Sequence, residues 1–143
     1  MDKDAVKDPV NQWSEVAIYT DGACRKNPGG KGAWAAVLVF GQHEKEISGY
    51  LESTTSGRAE LIAIIEGLKA LNRRCRVKVY SDSQVAVYCA RGDYNRNSNT
   101  DLWAVFDELD QLHSVEYIWI RGHNGDPYNE RAHLLAARQI DAH

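Results

Sequence analysis

EVAIYTDG, residues 15–22, marks the start of the fold. Apolar and polar residues alternate along it and it ends in Asp-Gly, which predicts a buried strand that stops in a turn, with Asp21 at its exit. Two more strands are predicted in AWAAVLVF, residues 33–40, and in residues 43–50, with a turn at Gly41 and Gln42 between them. This first part of the chain is therefore predicted to form a three-stranded meander.

The periodicity of the sequence changes after Ser56. Five apolar residues then recur at i, i+3, i+4, i+7 and i+10: Leu61, Ile64, Ile65, Leu68 and Leu71. This spacing predicts an amphipathic helix that carries Glu60 in its first turn. RVKVYSDS, residues 76–83, then predicts a fourth strand with Asp82 at its end.

The remaining residues predict alternating helices and strands. A short helix over residues 84–90 precedes a polar loop over 91–100. Helical spacing then returns at Leu102, Val105, Phe106, Leu109 and Leu112. VEYIWI, residues 115–120, predicts a fifth strand, and Pro127 after Asp126 predicts the start of a last helix. The order βββαβααβα predicts an α/β fold: a five-stranded mixed sheet, three antiparallel strands then parallel strands, with helices on both faces.

Length and composition limit the class of protein. The 143 residues, 43% of them hydrophobic, predict one domain over residues 15–143 behind a flexible tail over 1–14. No apolar run is long enough to span a membrane, and the three cysteines show no metal-binding or disulfide spacing, so we expect a cytoplasmic protein. The net charge of −3 argues against binding a polyanion by bulk attraction.

Three acids are predicted to meet at one edge of the sheet. Asp21 and Asp82 both follow strands, and in such sheets sites form beyond the carboxyl ends of the strands. Any one of these aspartates alone is more simply explained as a turn former or helix cap. Together with Glu60 they would repel one another without a cation, so the set predicts a metal site for Mg²⁺ or Mn²⁺.

Five motifs, in this order and spacing, resemble the type 1 ribonuclease H family: YTDGACRKNPGGKGAWA, TTSGRAEL, YSDSQ, DLW and RGHNGDPYNERA. The resemblance runs from Val16 to about Ala137. It implies endonucleolytic hydrolysis of the RNA strand of an RNA/DNA hybrid by two metal ions, giving 5′-phosphate and 3′-hydroxyl ends. It also places Asp21, Glu60 and Asp82 at the first three metal-ligand positions.

The fourth ligand position departs from the family pattern. An aspartate is usual there, and this chain has His133, which would otherwise be read as a structural helix histidine. An imidazole suits Mn²⁺ better than Mg²⁺, and Glu130 one turn earlier is expected to compensate from outside the metal's coordination shell. The resemblance assigns His123, in the GHNG loop, to proton transfer or product release; the alternative is a loop histidine bonded to its own backbone.

The resemblance also implies a set of substrate contacts. On the RNA side these are Cys24, Asn27, Ser56, Gly57 and Gln84. Arg58 is expected to reach a phosphate, with a plain surface arginine as the alternative. On the DNA side they are Thr55, Asn99 and Trp103. Trp103 lies one position off the apolar stripe of its helix, so packing in the core is a close alternative for it.

This chain lacks the basic, tryptophan-containing protrusion that many relatives carry between YSDSQ and DLW. Only Arg91 and Arg96 remain in that segment, so we expect weaker hybrid binding than in relatives with the protrusion. Two other functions stay open: a catalytically weakened hybrid-binding protein, and another nuclease of the same fold that acts on DNA. Nothing in the sequence requires a protein partner, and we expect a monomer.

Overall fold

The computed structural model describes residues 9–122 and 125–143 of the chain. A 3₁₀ turn over Val10–Gln12 precedes five strands and four α-helices. The strands are β1 (Ser14–Cys24), β2 (Gly32–Phe40), β3 (His43–Leu51), β4 (Cys75–Ser81) and β5 (Ser114–Trp119). The helices are α1 (Ser56–Lys69), α2 (Gln84–Arg91), α3 (Thr100–Gln111) and α4 (Pro127–Asp141). The predicted order βββαβααβα is confirmed.

The five strands form one mixed sheet in the order β3-β2-β1-β4-β5. The pairs β1–β2 and β2–β3 are antiparallel, whereas β1–β4 and β4–β5 are parallel. The predicted fold class is therefore confirmed. The neighbouring strands β1 and β4 run in the same direction, and the predicted aspartates follow the last residues that pair between them.

Apolar residues on the two faces of the sheet form two separate clusters. Ala36 and Leu38 of β2 belong to the larger cluster, which also contains α1 and α3 residues such as Leu61 and Phe106. Ala33 and Ala35 alternate with them and pack on α4, so helices cover both faces. None of the helices in the two described ranges combines the length and the apolar character that crossing a bilayer requires.

Two details of the sequence prediction were wrong. β1 does not stop in a turn at Asp21 and Gly22; it continues to Cys24, because these residues pair with β2 as far as Gly32. Glu60 lies in the second turn of α1 and not the first, because the helix already begins at Ser56, after the N-cap Thr55. The division into a tail over 1–14 and a domain over 15–143 stays a prediction, since residues 1–8 lie outside the described part of the chain.

Candidate active site

Asp21, Glu60 and Asp82 come together where the parallel pairing of β1 with β4 ends. Each offers a carboxylate oxygen, and these oxygens lie within 4.8 Å of one another. Asp21 is 4% exposed and Glu60 is 9% exposed, while Asp82 is half-buried. The three acids come from a strand, a helix and a strand end, and so they meet only in the folded chain.

Strand pairing fixes two of these acids. The last parallel pair of β1 and β4 is Thr20 with Ser81, so Asp21 and Asp82 are the next residue on each strand. Trp119 of β5 donates its indole N–H to the Asp82 carbonyl at 3.2 Å and holds the chain there. Asp21 and Asp82 therefore lie side by side on neighbouring strands, one residue beyond the last pair.

Gly22 brings the third acid within reach. A Cβ on Gly22 would lie 2.3 Å from both Ala59 C and Glu60 N, so only glycine lets α1 approach β1 this closely. The Gly22 N–H donates to the Glu60 carboxylate. The Ser81 hydroxyl also donates to this carboxylate, at 3.5 Å. Gly22 is thus needed for the approach of the helix and not, as predicted, for a turn.

Burial and the neighbouring charges raise the pKa values of Asp21 and Glu60. Burial, followed by the charges of Asp21 and Asp82, holds the pKa of Glu60 well above its usual range. Burial and the charge of Asp82 also raise the pKa of Asp21, against the opposing effect of its hydrogen bond to His133. A divalent cation would relieve this repulsion, and an all-oxygen donor set suits a hard cation such as Mg²⁺ or Mn²⁺. The residues present therefore fit a metal site.

His133 lies beside the acids, on α4. Its Nδ1 is 3.0 Å from Asp21 Oδ2, and about half of its side chain (49%) is exposed. Arg131, two residues earlier, ties α4 to β3 through Glu44 and Glu46 at 2.6 and 2.7 Å. The predicted fourth position is therefore brought to Asp21, although His133 and Glu130 are not among the three described residues whose ligand atoms all lie within 4.8 Å.

His123 and Asn124 lie outside the described residues, so the predicted role of His123 stays a prediction. The residue before them, Gly122, lies against the site: a Cβ there would be 3.2 Å from Asp82 Oδ2. The loop after β5 therefore leaves the sheet next to the acids.

Four of the residues predicted for the RNA side lie at or next to the N-terminus of α1, and the fifth, Gln84, lies at the start of α2. Asn27 Oδ1 accepts a hydrogen bond from the Ser56 backbone N–H at 3.1 Å, which joins the loop after β1 to the start of α1. Gly57 is exposed, and the Cys24 thiol donates to the Thr54 carbonyl at 3.4 Å. Gln84 is exposed at the start of α2, after the N-cap Ser83. The role of these positions in binding the RNA strand stays a prediction.

The residues predicted for the DNA side gather between α1 and α3. The Thr55 hydroxyl caps α1 by accepting from the Arg58 N–H at 3.1 Å. Asn99 precedes α3 in the left-handed conformation, with φ 59°, and its Oδ1 accepts from Arg58 at 3.3 Å. Trp103 is only 6% exposed and packs on Phe106, so its position is explained by packing in the core.

One partner on this side was not predicted. Asp101, known from the sequence only as part of DLW, holds Arg58 through two hydrogen bonds of 3.0 and 2.8 Å. The two residues are 43 positions apart, so no local spacing could have indicated the pair.

Comparison with known proteins identifies the family of the chain. The chain matches the RNase H family over residues 13–141. A ribonuclease H of Cupriavidus metallidurans is 48% identical over 139 residues, which cover 88% of this chain and 95% of the relative. The N-terminal RNase H domain of a Mycobacterium tuberculosis protein shares the fold, with a TM-score of 0.81 at 23% identity over 90% of this chain and 95% of that domain. LC11-RNase H1, isolated from compost and solved with an RNA/DNA hybrid, has a TM-score of 0.75 at 24% identity over 89% and 97%. The chain belongs to the RNase H family.

Proposed function

We propose that this chain is an endonuclease that hydrolyses the RNA strand of RNA/DNA hybrids and leaves 5′-phosphate and 3′-hydroxyl ends. The observation that carries the proposal is the set of three carboxylates from β1, α1 and the end of β4, with oxygens within 4.8 Å of one another. Family membership and relatives named ribonuclease H support the same activity.

Asp21, Glu60 and Asp82 would hold two divalent cations. When bound, the ions would activate the attacking water and stabilise the charge that develops on the phosphate and the leaving oxygen. The contribution of the chain is to keep the three carboxylates in place. Gly22 and Ser81 bond to Glu60, and so this buried carboxylate reaches the site with a fixed orientation.

His133 is proposed as the fourth residue of the metal site. Its Nδ1 lies 3.0 Å from Asp21 Oδ2, which places it beside one of the carboxylates that would hold the ions. An imidazole in place of a carboxylate removes one negative charge and offers nitrogen, which favours Mn²⁺ over Mg²⁺. Glu130, in the first turn of the same helix, is proposed to act from outside the coordination shell.

We expect His133→Asp to tighten Mg²⁺ binding and to raise Mg²⁺-supported cleavage, because the change adds an anionic oxygen to the site. Calorimetric titration with Mg²⁺ and with Mn²⁺ measures this directly, apart from turnover. His133→Asn is the matched control, since it supplies a neutral oxygen of similar size. An unchanged Mg²⁺ affinity in His133→Asp would contradict the proposal for this residue.

A cleavage assay tests the proposed activity. Labelled RNA/DNA hybrid, duplex RNA and duplex DNA are each incubated with Mg²⁺ and with Mn²⁺, with Asp21→Asn as the inactive control. We expect cleavage of the RNA in the hybrid alone, with products that a ligase can join because they carry 5′-phosphates. Binding of the hybrid without cleavage in either metal would instead support a catalytically weakened binding protein, and cleavage of duplex DNA would support another nuclease of this fold.

A further inference from the structure

Arg58 and Asp101 form an ion pair at the surface that is predicted to face the DNA strand. Nη1 and Nη2 of Arg58 bond to the two carboxylate oxygens of Asp101 at 3.0 and 2.8 Å, the two-pronged geometry in which guanidinium also binds phosphate. Both side chains reach solvent, Arg58 with 34% and Asp101 with 64% exposure. The carboxylate therefore occupies the place on Arg58 that a backbone phosphate would take.

Asn99 and Gly57 lie next to this pair. Asn99 Oδ1 accepts from Arg58 at 3.3 Å, and its amide nitrogen lies 3.8 Å from where a Cβ on Gly57 would stand. A pocket of about 210 Å³ is lined by Gly57, Asn99 and Trp103, the neighbours of this pair, and a phosphate reaches Arg58 itself from the solvent side, where 34% of its side chain is exposed. Exposed ion pairs add little to the stability of a fold, so exchanging one anion for another on Arg58 costs the protein little.

We propose that Asp101 sets the affinity of this surface for nucleic acid, because its carboxylate holds Arg58 until a backbone phosphate of the hybrid replaces it. The inference rests on the proposed function, since it assumes that a hybrid lies across the N-termini of α1 and α3. Asp101 is then a residue that tunes binding and touches no reacting atom.

The exchange has a consequence for salt dependence. A phosphate that binds a free Arg58 releases one condensed counterion. A phosphate that displaces Asp101 from Arg58 leaves the Asp101 carboxylate without a partner, and a cation taken up there offsets the counterion released. Asp101→Asn keeps the size of the side chain and removes its charge. We expect it to bind a hybrid about three- to tenfold tighter at low salt. We also expect the slope of log K against log salt to steepen by about 0.9.

Fluorescence anisotropy with a labelled RNA/DNA hybrid, in EDTA so that no strand is cut, measures both quantities. Glu66→Gln is the control for net charge, because Glu66 pairs with Lys69 at 3.6 Å in the last turns of α1, away from its N-terminus. It should leave the affinity almost unchanged. Arg58→Gln should weaken binding, and Asp101→Asn should bring almost no gain in that background.

Each outcome bears on the inference. Tighter binding and a steeper slope that both require Arg58 support it. Unchanged or weaker binding by Asp101→Asn overturns it, as does a gain that persists without Arg58. If the unmodified chain neither binds nor cleaves the hybrid, the proposed function fails and the inference fails with it; if the unmodified chain cleaves normally, a failed gain overturns the inference alone.

Discussion

Gly22→Ala adds one methyl group at the point where β1 meets α1. The new Cβ would lie 2.3 Å from Ala59 C and Glu60 N, and 2.6 Å from Ala59 O. These are backbone atoms of a helix, which cannot move aside one at a time, so the strand and the helix must separate. We expect the free energy of unfolding to fall by about 2–3 kcal/mol, the usual cost of forcing a methyl group into a closed contact.

Urea unfolding followed by circular dichroism, in EDTA so that no metal contributes, measures this change. A loss of that size lowers the melting temperature by roughly 6–12 °C in a domain of this length. The control is Gly57→Ala, since the nearest atom to its new Cβ is Asn99 Nδ2 at 3.8 Å. Alanine there should be neutral or stabilise the helix by up to about 1 kcal/mol.

The same change should also weaken metal binding, because it moves Glu60 away from Asp21. Calorimetric titration with Mn²⁺ at a temperature where both proteins are folded tests this second effect. A Gly22→Ala variant that unfolds at the urea midpoint of the unmodified chain would refute the reasoning, since α1 and β1 would then have room for a Cβ.

Three further predictions concern stability. Burial lowers the pKa of His113, whose Nδ1 accepts a hydrogen bond from the Cys75 N–H. Below about pH 6.5 the unfolded chain therefore binds more protons than the folded chain, and the free energy of unfolding should fall as the pH drops. Urea midpoints at several pH values should show a weaker fall in His113→Gln. Glu60→Gln should raise the melting temperature of the metal-free protein, because it removes one of three repelling carboxylates, and Mg²⁺ should stabilise the unmodified chain more than this variant. Tyr117→Phe should cost about 1–2 kcal/mol in urea unfolding, because the buried hydroxyl donates to Asp110 at 2.7 Å; an unchanged midpoint would contradict this.

The periodicity of the sequence was enough to predict the strands, the helices and their order. Alternation in β1 and the helical spacing from Leu61 to Leu71 indicate which face of each element is buried, and burial of that face stabilises the strand or helix. The order of the strands in the sheet was not predicted, since pairing between β1 and β4 depends on contacts between residues about sixty positions apart. The element ends were less accurate, as the extension of β1 to Cys24 shows.

The acids could be predicted to meet because the topology sends two strand ends to one edge. How closely Glu60 approaches them could not be predicted, because Asp-Gly is typical of a turn and the sequence does not show that α1 packs on Gly22. The proximity of His133 to Asp21 had a signal only in the resemblance, since a helix histidine by itself is usually structural.

Net charge proved to be an incomplete guide to the charge that a substrate would meet. The value of −3 and the missing basic protrusion predict weak hybrid binding, and the structure adds a local reason. Arg58, Arg91 and Arg96 each form an ion pair with an aspartate. A polyanion therefore meets arginines whose charge is already compensated, and it gains from each one only by displacing a carboxylate. For this reason the slope of log K against log salt should be shallower than the number of arginines on the surface implies, because an arginine that exchanges a carboxylate for a phosphate adds little to the slope.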